Sequence, residues 1–160
     1  MTHKSVLLDT SFFLRFLNEA DPLFKNADGY YRYFLQKGFP LVVSTIAIME
    51  YCVKGKPDEL PLKNLRVLPF NWPHAIRAGE FARLVFDQRG TLQLANRKIV
   101  PNDTKLFAQA DTEEDIGYYL SSDAESKKIY DFLLNGGAET KFTFIDLNIP
   151  YHTTFGLLDL

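Results

Sequence analysis

The chain has 160 residues, of which 46% are hydrophobic and 24% are charged, and its formal net charge is −2. This length suits one domain with a buried core, and the composition is that of a globular protein, which excludes a disordered chain. The net charge supplies no general attraction for nucleic acid, so any such role depends on local basic residues.

The sequence contains no membrane or targeting signal. No apolar run approaches the roughly 18 residues of a membrane span, and the N-terminus has no basic segment followed by an apolar one. We therefore expect a cytoplasmic protein with no membrane partner. The one cysteine, Cys52, cannot form a disulfide within the chain, and its apolar neighbours predict a buried, unreactive thiol.

The first predicted strand ends in a group of polar residues. Residues 6–8 form a continuous apolar run, typical of a parallel strand covered on both faces, and Asp9 follows directly. In open α/β sheets, ligands bind at the carboxyl ends of the strands, so Asp9 is a candidate functional residue. The alternative is that Asp9 or Thr10 only caps the following helix, which is predicted over 11–17.

The next predicted element is a helix between Asp21 and Gly38, with a wide apolar face. Most of this face is expected to belong to the core. A second row on the helix, consisting of Phe24, Tyr31 and Leu35, is expected to be partly exposed. We expect this row to contribute to a homodimer or to the binding of a partner protein.

The second predicted strand, 41–43, leads into a helix that carries one acidic residue. Glu50 is the only acid within 44–53, and most of its neighbours on the helix are apolar. A single carboxylate in such a helix is costly to bury unless it is paired or binds a metal. The alternative is that Glu50 lies on a solvated outer face.

The middle of the chain is predicted to contain a loop, an edge strand and a long helix. Residues 54–64 include two prolines and a glycine without periodicity, which indicates a loop. The short strand predicted within 65–70 contains a proline and is therefore placed at a sheet edge. The helix begins at Trp72 and ends near Gly90. The segment 91–100 shows no clear period.

Two further acids occupy positions comparable to that of Asp9. Asp103 lies in the first turn of a helix predicted to begin near Pro101, and the strand predicted over 116–120 runs into a polar segment that includes Asp123. In a parallel sheet, the carboxyl ends of all strands lie at one edge. Acids placed at these ends can therefore converge in space despite their separation in sequence.

A helix over 124–134 and a last strand over 141–147 complete the pattern, followed by a tail, 148–160, without assignable periodicity. The alternation of strands and helices predicts an α/β protein, because right-handed crossovers are the usual connection between parallel strands. We expect a mostly parallel central sheet of four to five strands with helices on both faces.

The four candidate acids are Asp9, Glu50, Asp103 and Asp123. Carboxylates packed together repel one another, and such a group is stable only with shared protons or a hard cation. Mg²⁺ or Mn²⁺ fits, because oxygen ligands suit both ions. The three histidines show no ligand spacing, so zinc is not expected.

Four segments follow one another along the chain: VLLDTSFFL, STIAIMEY, VPNDTKLFAQA and YYLSSDAESKKIYDFL. In order and approximate spacing they resemble the PIN-domain ribonucleases, which include the toxins of VapBC-type toxin–antitoxin pairs. The resemblance covers most of 4–147 and implies a Rossmann-like three-layer α/β/α sandwich. We expect one PIN-like domain over 1–160, with a core of about 4–147 and a C-terminal tail over 148–160.

The resemblance also implies an Mg²⁺- or Mn²⁺-dependent endoribonuclease that hydrolyses RNA phosphodiester bonds. Asp9, Glu50, Asp103 and Asp123 each match one of the acidic positions of the family. We expect Asp9 and Asp123 to be direct metal ligands and Asp103 to be a ligand directly or through water. Glu50 is then an outer ligand or orients the attacking water.

Further residues match polar positions at which the family often has supporting groups. These are Thr10, Ser11, Asn102 and Ser121. Arg97, Lys98 and Lys105 belong to the one local concentration of basic residues and are candidates for holding RNA phosphates. An ordinary solvated surface is the alternative explanation for these basic residues.

Other functions compete with a toxin that pairs with an antitoxin. The chain is longer than a typical compact toxin, with extra residues near 54–64, 88–100 and in the tail. The principal alternative is a catalytically inactive PIN-like scaffold that binds RNA or protein. A phosphatase of the haloacid-dehalogenase type needs a second acid where Ser11 stands, and the acidic pair of a receiver domain is missing.

Overall fold

The computed structural model describes residues 3–89 and 102–157, with the side chains of 88 and 89 excluded. Arg97 and Lys98 therefore lie outside the described residues. The strands are β1 Ser5–Leu8, β2 Leu41–Ser44, β3 Leu65–Leu68, β4 Ile116–Ser121 and β5 Thr143–Asp146. The helices are α1 Thr10–Phe16, α2 Phe24–Lys37, α3 Thr45–Tyr51, α4 Trp72–Arg89, α5 Asn102–Thr112, α6 Ala124–Asn135 and α7 Tyr151–Thr154.

The strands form one sheet in the order β3-β2-β1-β4-β5. Every neighbouring pair is parallel, and Leu8 at the end of β1 aligns with Val43 of β2 and Leu120 of β4. The carboxyl ends of β1, β2 and β4 therefore lie side by side at the middle of one sheet edge. This topology confirms the predicted α/β class and the parallel sheet.

Alternate residues of β1 point to opposite faces of the sheet, and helices cover both faces. Val6 and Leu8 pack with α1, α2 and α3 in one buried cluster. Leu7 packs with α4, α5 and α6 in a second cluster on the other face. The result is the predicted three-layer α/β/α sandwich.

The start of α2 differs from its prediction, whereas its end agrees. The side chain of Asp21 accepts a hydrogen bond from the backbone N–H of Leu23 at 2.8 Å, so this residue forms a turn before the helix begins at Phe24. The helix ends at Gly38, which adopts a left-handed conformation with φ of 76°. Glycine adopts that conformation without the steric cost of a Cβ atom.

The C-terminal segment packs against α2, a feature that its sequence did not predict. The hydroxyl of Tyr30 lies 2.6 Å from the backbone carbonyl oxygen of Ile149 and 2.6 Å from the hydroxyl of Thr154. A Cβ atom on Gly29 would lie 2.9 Å from the ring of Tyr151, so the glycine permits close approach of α7. Residues up to Phe155 therefore form part of the packed structure.

Two predictions about exposure have different outcomes. The row of Phe24, Tyr31 and Leu35 is partly exposed as predicted, with Leu35 43% accessible. The prediction that Cys52 is buried is wrong, because the thiol is exposed. Cys52 is the C-cap of α3, and the chain turns away from the core at Val53, which is 76% accessible.

The predicted loop over 54–64 contains two short 3₁₀ turns, Pro57–Glu59 and Leu62–Asn64. The first turn is fastened to α3, because the hydroxyl of Tyr51 donates a hydrogen bond to Glu59 at 3.0 Å. No helix among residues 3–89 and 102–157 combines the length and the apolar character that a bilayer span requires.

Candidate active site

Asp9 lies at the end of β1 and is the N-cap of α1. The residue is only 6% accessible, and its Oδ1 accepts a hydrogen bond from the backbone N–H of Thr10 at 2.8 Å. Asp9 therefore does cap the helix, as the simpler alternative supposed. The capping bond occupies Oδ1, whereas the second carboxylate oxygen, Oδ2, contacts other residues.

Two serine hydroxyls hold the other oxygen of this carboxylate. Ser121 donates to Oδ2 of Asp9 at 2.7 Å, and Ser11 donates to the same oxygen at 2.9 Å. Backbone N–H groups fix both serines, since Ser122 donates to Ser11 and Asp123 donates to Ser121. The ends of β1 and β4 are thus joined through the carboxylate of Asp9.

Opposing effects act on the ionisation of Asp9. Burial raises its pKa above the ordinary value, and the hydrogen bonds from the two serines and from the backbone of Thr10 lower it. The negative charge of Asp123 contributes a smaller increase. The net change is upward, because burial outweighs the bonds that stabilise the charged form.

Glu50 is half-buried on α3, and its charge is unfavourable there. Burial is the main cause that raises its pKa to about 7, and the charges of Asp9 and Asp103 raise it further. Contacts from the side chains of Asn102 and Thr10 lower it. The buried oxygen Oε1 has no hydrogen-bond partner among the described residues. Glu50 is therefore not a carboxylate on a fully solvated face.

Asp103 lies in the first turn of α5, as predicted, and is partly buried. Burial raises its pKa to about 6, and the charges of Asp9 and Asp123 add to the increase. The side chain of Ser126 lowers the pKa of Asp103. Three of the four predicted acids, including Glu50, thus have raised pKa values and interact with one another.

Asp123 differs from the other three acids because it is exposed. Its side chain accepts a hydrogen bond from the backbone N–H of Glu125 at 2.9 Å and caps α6. The same residue contributes negative charge at Asp9 and at Asp103. Asp123 therefore lies at the rim of the acidic site, whereas Asp9 lies at its base.

The predicted supporting and basic residues lie close to these acids where the structure describes them. Thr10 is buried, and its hydroxyl lies 3.4 Å from the backbone carbonyl oxygen of Ala47 on α3. Asn102 lies beside Glu50, and the ammonium of Lys105 donates to the Asn102 side chain at 3.1 Å. Lys105 therefore places a positive charge near the acidic site.

The structure permits a test of whether these residues suit a divalent cation. Among residues 3–89 and 102–157, no three His, Cys, Asp or Glu side chains are already arranged as a metal-binding group. The donor atoms are nevertheless all oxygens, and burial together with the charges of neighbouring acids raises the pKa of Glu50 and of Asp103. The unpaired Oε1 of Glu50 also requires a partner. These properties fit Mg²⁺ or Mn²⁺.

The sequence did not identify two hydroxyl groups next to the acids. Tyr119 of β4 and Ser126 of α6 are fully buried, and neither hydroxyl forms a hydrogen bond of normal geometry with a described residue. The available signals were one of two adjacent tyrosines in β4 and a serine in the first turn of α6. Neither signal is specific, because both residue types are common in such elements.

The fold also occurs in solved structures of VapBC and VapC proteins. One is VapBC2 from Rickettsia felis bound to a DNA fragment from its promoter. A chain of this structure matches with 20% identity and a TM-score of 0.58, over 88% of the present chain and 97% of the matched one. A chain of DNA-bound VapBC from Salmonella typhimurium matches with 16% identity and a TM-score of 0.53, over 92% and 99% respectively.

A third structure is Mycobacterium tuberculosis VapC20, described as a toxin that cleaves the sarcin-ricin loop. It matches with 18% identity and a TM-score of 0.52, over 78% of this chain and 94% of that one. No protein-family model and no curated protein matches the sequence. At these identities the likeness shows the fold alone, and it confirms the predicted VapC-like PIN architecture.

Proposed function

We propose that this protein is a metal-dependent endoribonuclease that hydrolyses RNA phosphodiester bonds. One observation carries the proposal: buried Asp9 at the end of β1 interacts with Glu50 and Asp103, whose pKa values are raised to about 7 and about 6. Native proteins seldom retain such mutually repelling carboxylates without a functional reason. The fold that the chain has in common with VapC20, a sarcin-ricin loop cleaving toxin, supports this reaction class.

The acids would hold Mg²⁺ or Mn²⁺ with their carboxylate oxygens. Asp9, Asp103 and Asp123 are the proposed ligands, and Glu50 orients the attacking water. When bound there, such a cation would lower the pKa of a coordinated water and would offset the negative charge of the phosphoryl group. Ser11 and Ser121 keep the carboxylate of Asp9 in one orientation, because both donate to its Oδ2.

Positive charge near the acids would attract the RNA backbone. Lys105 is the described candidate, because its ammonium donates to Asn102, a side chain that also interacts with Glu50. Arg97 and Lys98 remain predicted phosphate contacts that lie outside the described residues. A lysine that contacts one phosphate contributes a salt-dependent term to the affinity but no sequence specificity.

Cleavage of a labelled RNA by the purified protein tests the proposal. We expect cleavage with Mg²⁺ or Mn²⁺, loss of cleavage in EDTA, and loss of cleavage with Asp9→Asn. Asp87→Asn is a matched control, because Asp87 is exposed on α4 and forms no ion pair with a described residue. Undiminished cleavage by a folded Asp9→Asn protein, or cleavage that persists in EDTA, would contradict the proposed site.

The inactive scaffold remains the second candidate, and one observation favours it. Asp123 is exposed and its Oδ1 is occupied as the cap of α6, so the proposed ligands are not yet assembled. The same assay distinguishes the two functions. A scaffold binds the RNA with and without Mn²⁺ and leaves it intact, whereas the nuclease shortens it only when the cation is present.

We also propose an antitoxin-like protein partner that covers the apolar surface beside the acids. Leu14, Met49 and Val53 are between 56% and 76% accessible. An open pocket of about 560 Å³ is lined by Leu14, Val53 and also Glu50. A partner segment in this pocket would cover an acid of the site and block RNA. Two of the similar structures are of VapBC2 and VapBC, whereas the third is of VapC20, and this supports such a partner.

Co-expression with the product of any short reading frame that adjoins the gene tests this partner. We expect the two proteins to copurify, the pair to cleave less RNA than the free protein, and Val53→Asp to weaken the association. Leu134→Asp is the control, because Leu134 is 43% accessible on α6, outside the pocket. The homodimer predicted for the row of Phe24, Tyr31 and Leu35 is tested separately by sedimentation, where a monomer would contradict it.

A further inference from the structure

Two fully buried hydroxyl groups near the acidic site have no hydrogen-bond partner among the described residues. Tyr119 on β4 and Ser126 in the first turn of α6 are both 0% accessible. The hydroxyl oxygen of each forms no hydrogen bond of normal geometry with any described residue. Buried polar groups in native proteins are nearly always paired, so two such groups next to each other need an explanation.

Their surroundings connect both hydroxyls to Asp103. The Ser126 hydroxyl approaches the carboxylate of Asp103 and the hydroxyl of Tyr119 closely enough to lower the pKa of each. Burial raises the pKa of Tyr119 well above its ordinary value, and the charges of Asp9, Asp103 and Glu50 raise it further. The Tyr119 hydroxyl therefore interacts electrostatically with all three acids, and Ser126 is close to both Tyr119 and Asp103.

Packing fixes the tyrosine but leaves its hydroxyl unpaired. The ring of Tyr119 meets the ring of Phe107, on α5, in an edge-on contact with 4.9 Å between centroids. Asp103 lies one turn before Phe107 on α5. A small rotation of the Asp103 side chain alone can change the distance from its carboxylate to Ser126, and the packed rings stay in place. The two hydroxyls therefore lie where they can form hydrogen bonds when the carboxylate of Asp103 takes a new orientation.

We infer that Ser126 and Tyr119 are positioning residues for the cation site and act through Asp103. In the cation-bound protein, the Ser126 hydroxyl donates to Asp103 and accepts a hydrogen bond from the Tyr119 hydroxyl. The inference rests on the proposed function, because it assumes that Asp103 binds the cation. Hydrogen bonds to a ligating carboxylate orient it, and their loss usually weakens metal binding by about 10- to 100-fold.

A role limited to packing makes a different prediction for the protein without metal. An unpaired buried hydroxyl destabilises the native state, so its removal is neutral or stabilising when no partner is lost. Tyr119→Phe and Ser126→Ala should therefore melt at the wild-type temperature or higher in EDTA at pH 4, where Asp103 is protonated and Ser126 stabilises no charge. If the hydroxyls instead maintained the metal-free fold, both variants would melt lower.

The test is a Mn²⁺ titration of the whole chain, in which electron paramagnetic resonance measures the free ion. We expect Tyr119→Phe and Ser126→Ala each to bind Mn²⁺ about tenfold more weakly than wild type. Tyr130→Phe is the matched control, because its hydroxyl lies 3.5 Å from the carbonyl oxygen of Phe142 and not beside the acids. We expect Tyr130→Phe to bind with the wild-type affinity.

Each result leads to a distinct conclusion. Weaker Mn²⁺ binding with an unchanged or raised melting temperature in EDTA at pH 4 supports the inference. Wild-type Mn²⁺ affinity in both variants overturns the inference and leaves the proposed nuclease intact. A lower melting temperature in EDTA at pH 4 for both variants has the same consequence. Absence of Mn²⁺ binding by the wild-type protein overturns the proposed function and this inference with it.

Discussion

Replacement of Asp103 by asparagine should stabilise the protein when no divalent cation is present. Burial and the charges of Asp9 and Asp123 raise the pKa of Asp103 from 3.8 to about 6. A carboxyl whose pKa is raised by folding binds its proton more tightly in the native state than in the unfolded state. Its contribution to stability is complete below about pH 4 and is lost as the pH rises through about 6.

The size of the effect follows from this difference in pKa. Each pKa unit corresponds to about 1.4 kcal/mol, so ionised Asp103 lowers the free energy of unfolding by about 3 kcal/mol at pH 7. Asparagine removes the charge but still needs hydrogen bonds in a partly buried position. We therefore expect Asp103→Asn to gain about 1 to 2 kcal/mol, or roughly 2 to 8 °C in melting temperature.

Thermal unfolding in EDTA at pH 4 and pH 7.5 measures this gain. The variant should melt higher than wild type at pH 7.5, and the two proteins should converge near pH 4, where wild-type Asp103 is protonated. Added Mg²⁺ should then stabilise wild type more than the variant, because only wild type retains the full ligand set. Asp87→Asn, exposed on α4, should stay within about 0.5 kcal/mol of wild type.

Equal melting temperatures for wild type and Asp103→Asn in EDTA at pH 7.5 would refute this reasoning. Equal Mg²⁺-induced shifts in the two proteins would refute it as well. Either result would mean that Asp103 does not share a site with Asp9, whatever activity the protein has.

Three further predictions concern other parts of the structure. Metal-free wild type should lose stability between about pH 4.5 and pH 7 as Glu50 ionises. In denaturant titrations, Glu50→Gln should flatten this pH dependence. Solvent screening makes the loss of stability smaller at half-buried Glu50 than at a fully buried acid. Ser121→Ala should lower the free energy of unfolding by about 1 to 3 kcal/mol, because Asp9 loses its shortest hydrogen bond, and an unchanged value would contradict this role. Gly79→Ala should stabilise α4 by about 0.5 to 1 kcal/mol in thermal melts. Gly29→Ala should show no such gain, because the added Cβ would lie 2.9 Å from the tyrosine ring of α7.

The sheet was predictable because its strands are short apolar runs with polar ends. Residues 6–8 and 41–43 read as buried strands, and both lie in the middle of the sheet as fully buried elements. The proline after β3 indicated an edge position, which the strand order confirms. These signals are local, since each depends on side-chain burial within one strand.

Features that depend on packing between elements were not predictable. The exposure of Cys52 depends on where the chain turns after α3, and its apolar neighbours in sequence indicated burial instead. The docking of α7 on α2 depends on the space that Gly29 leaves for a distant ring. The burial of Tyr119 and Ser126 requires α5 and α6 to lie over β4, which no pattern within β4 or α6 reveals.

The position of the acids was predictable in part. The end of a parallel strand placed Asp9 correctly at the sheet edge, and the first turn of α5 placed Asp103 near it. The difference between buried Asp9 and exposed Asp123 could not be read from sequence, because both follow an apolar strand and precede a helix. In the structure, serine hydroxyls from α1 and β4 bond to Asp9, whereas the side chain of Asp123 caps its own helix.

A crystal of the protein soaked in Mn²⁺, with anomalous diffraction recorded at the manganese absorption edge, tests the proposed cation site most directly. The proposal predicts one anomalous peak or more at the carboxyl edge of the sheet, within about 2.0 to 2.4 Å of carboxylate oxygens of Asp9 and Asp103. A well-diffracting soaked crystal with no peak at these carboxylates, from protein that cleaves RNA, would contradict it.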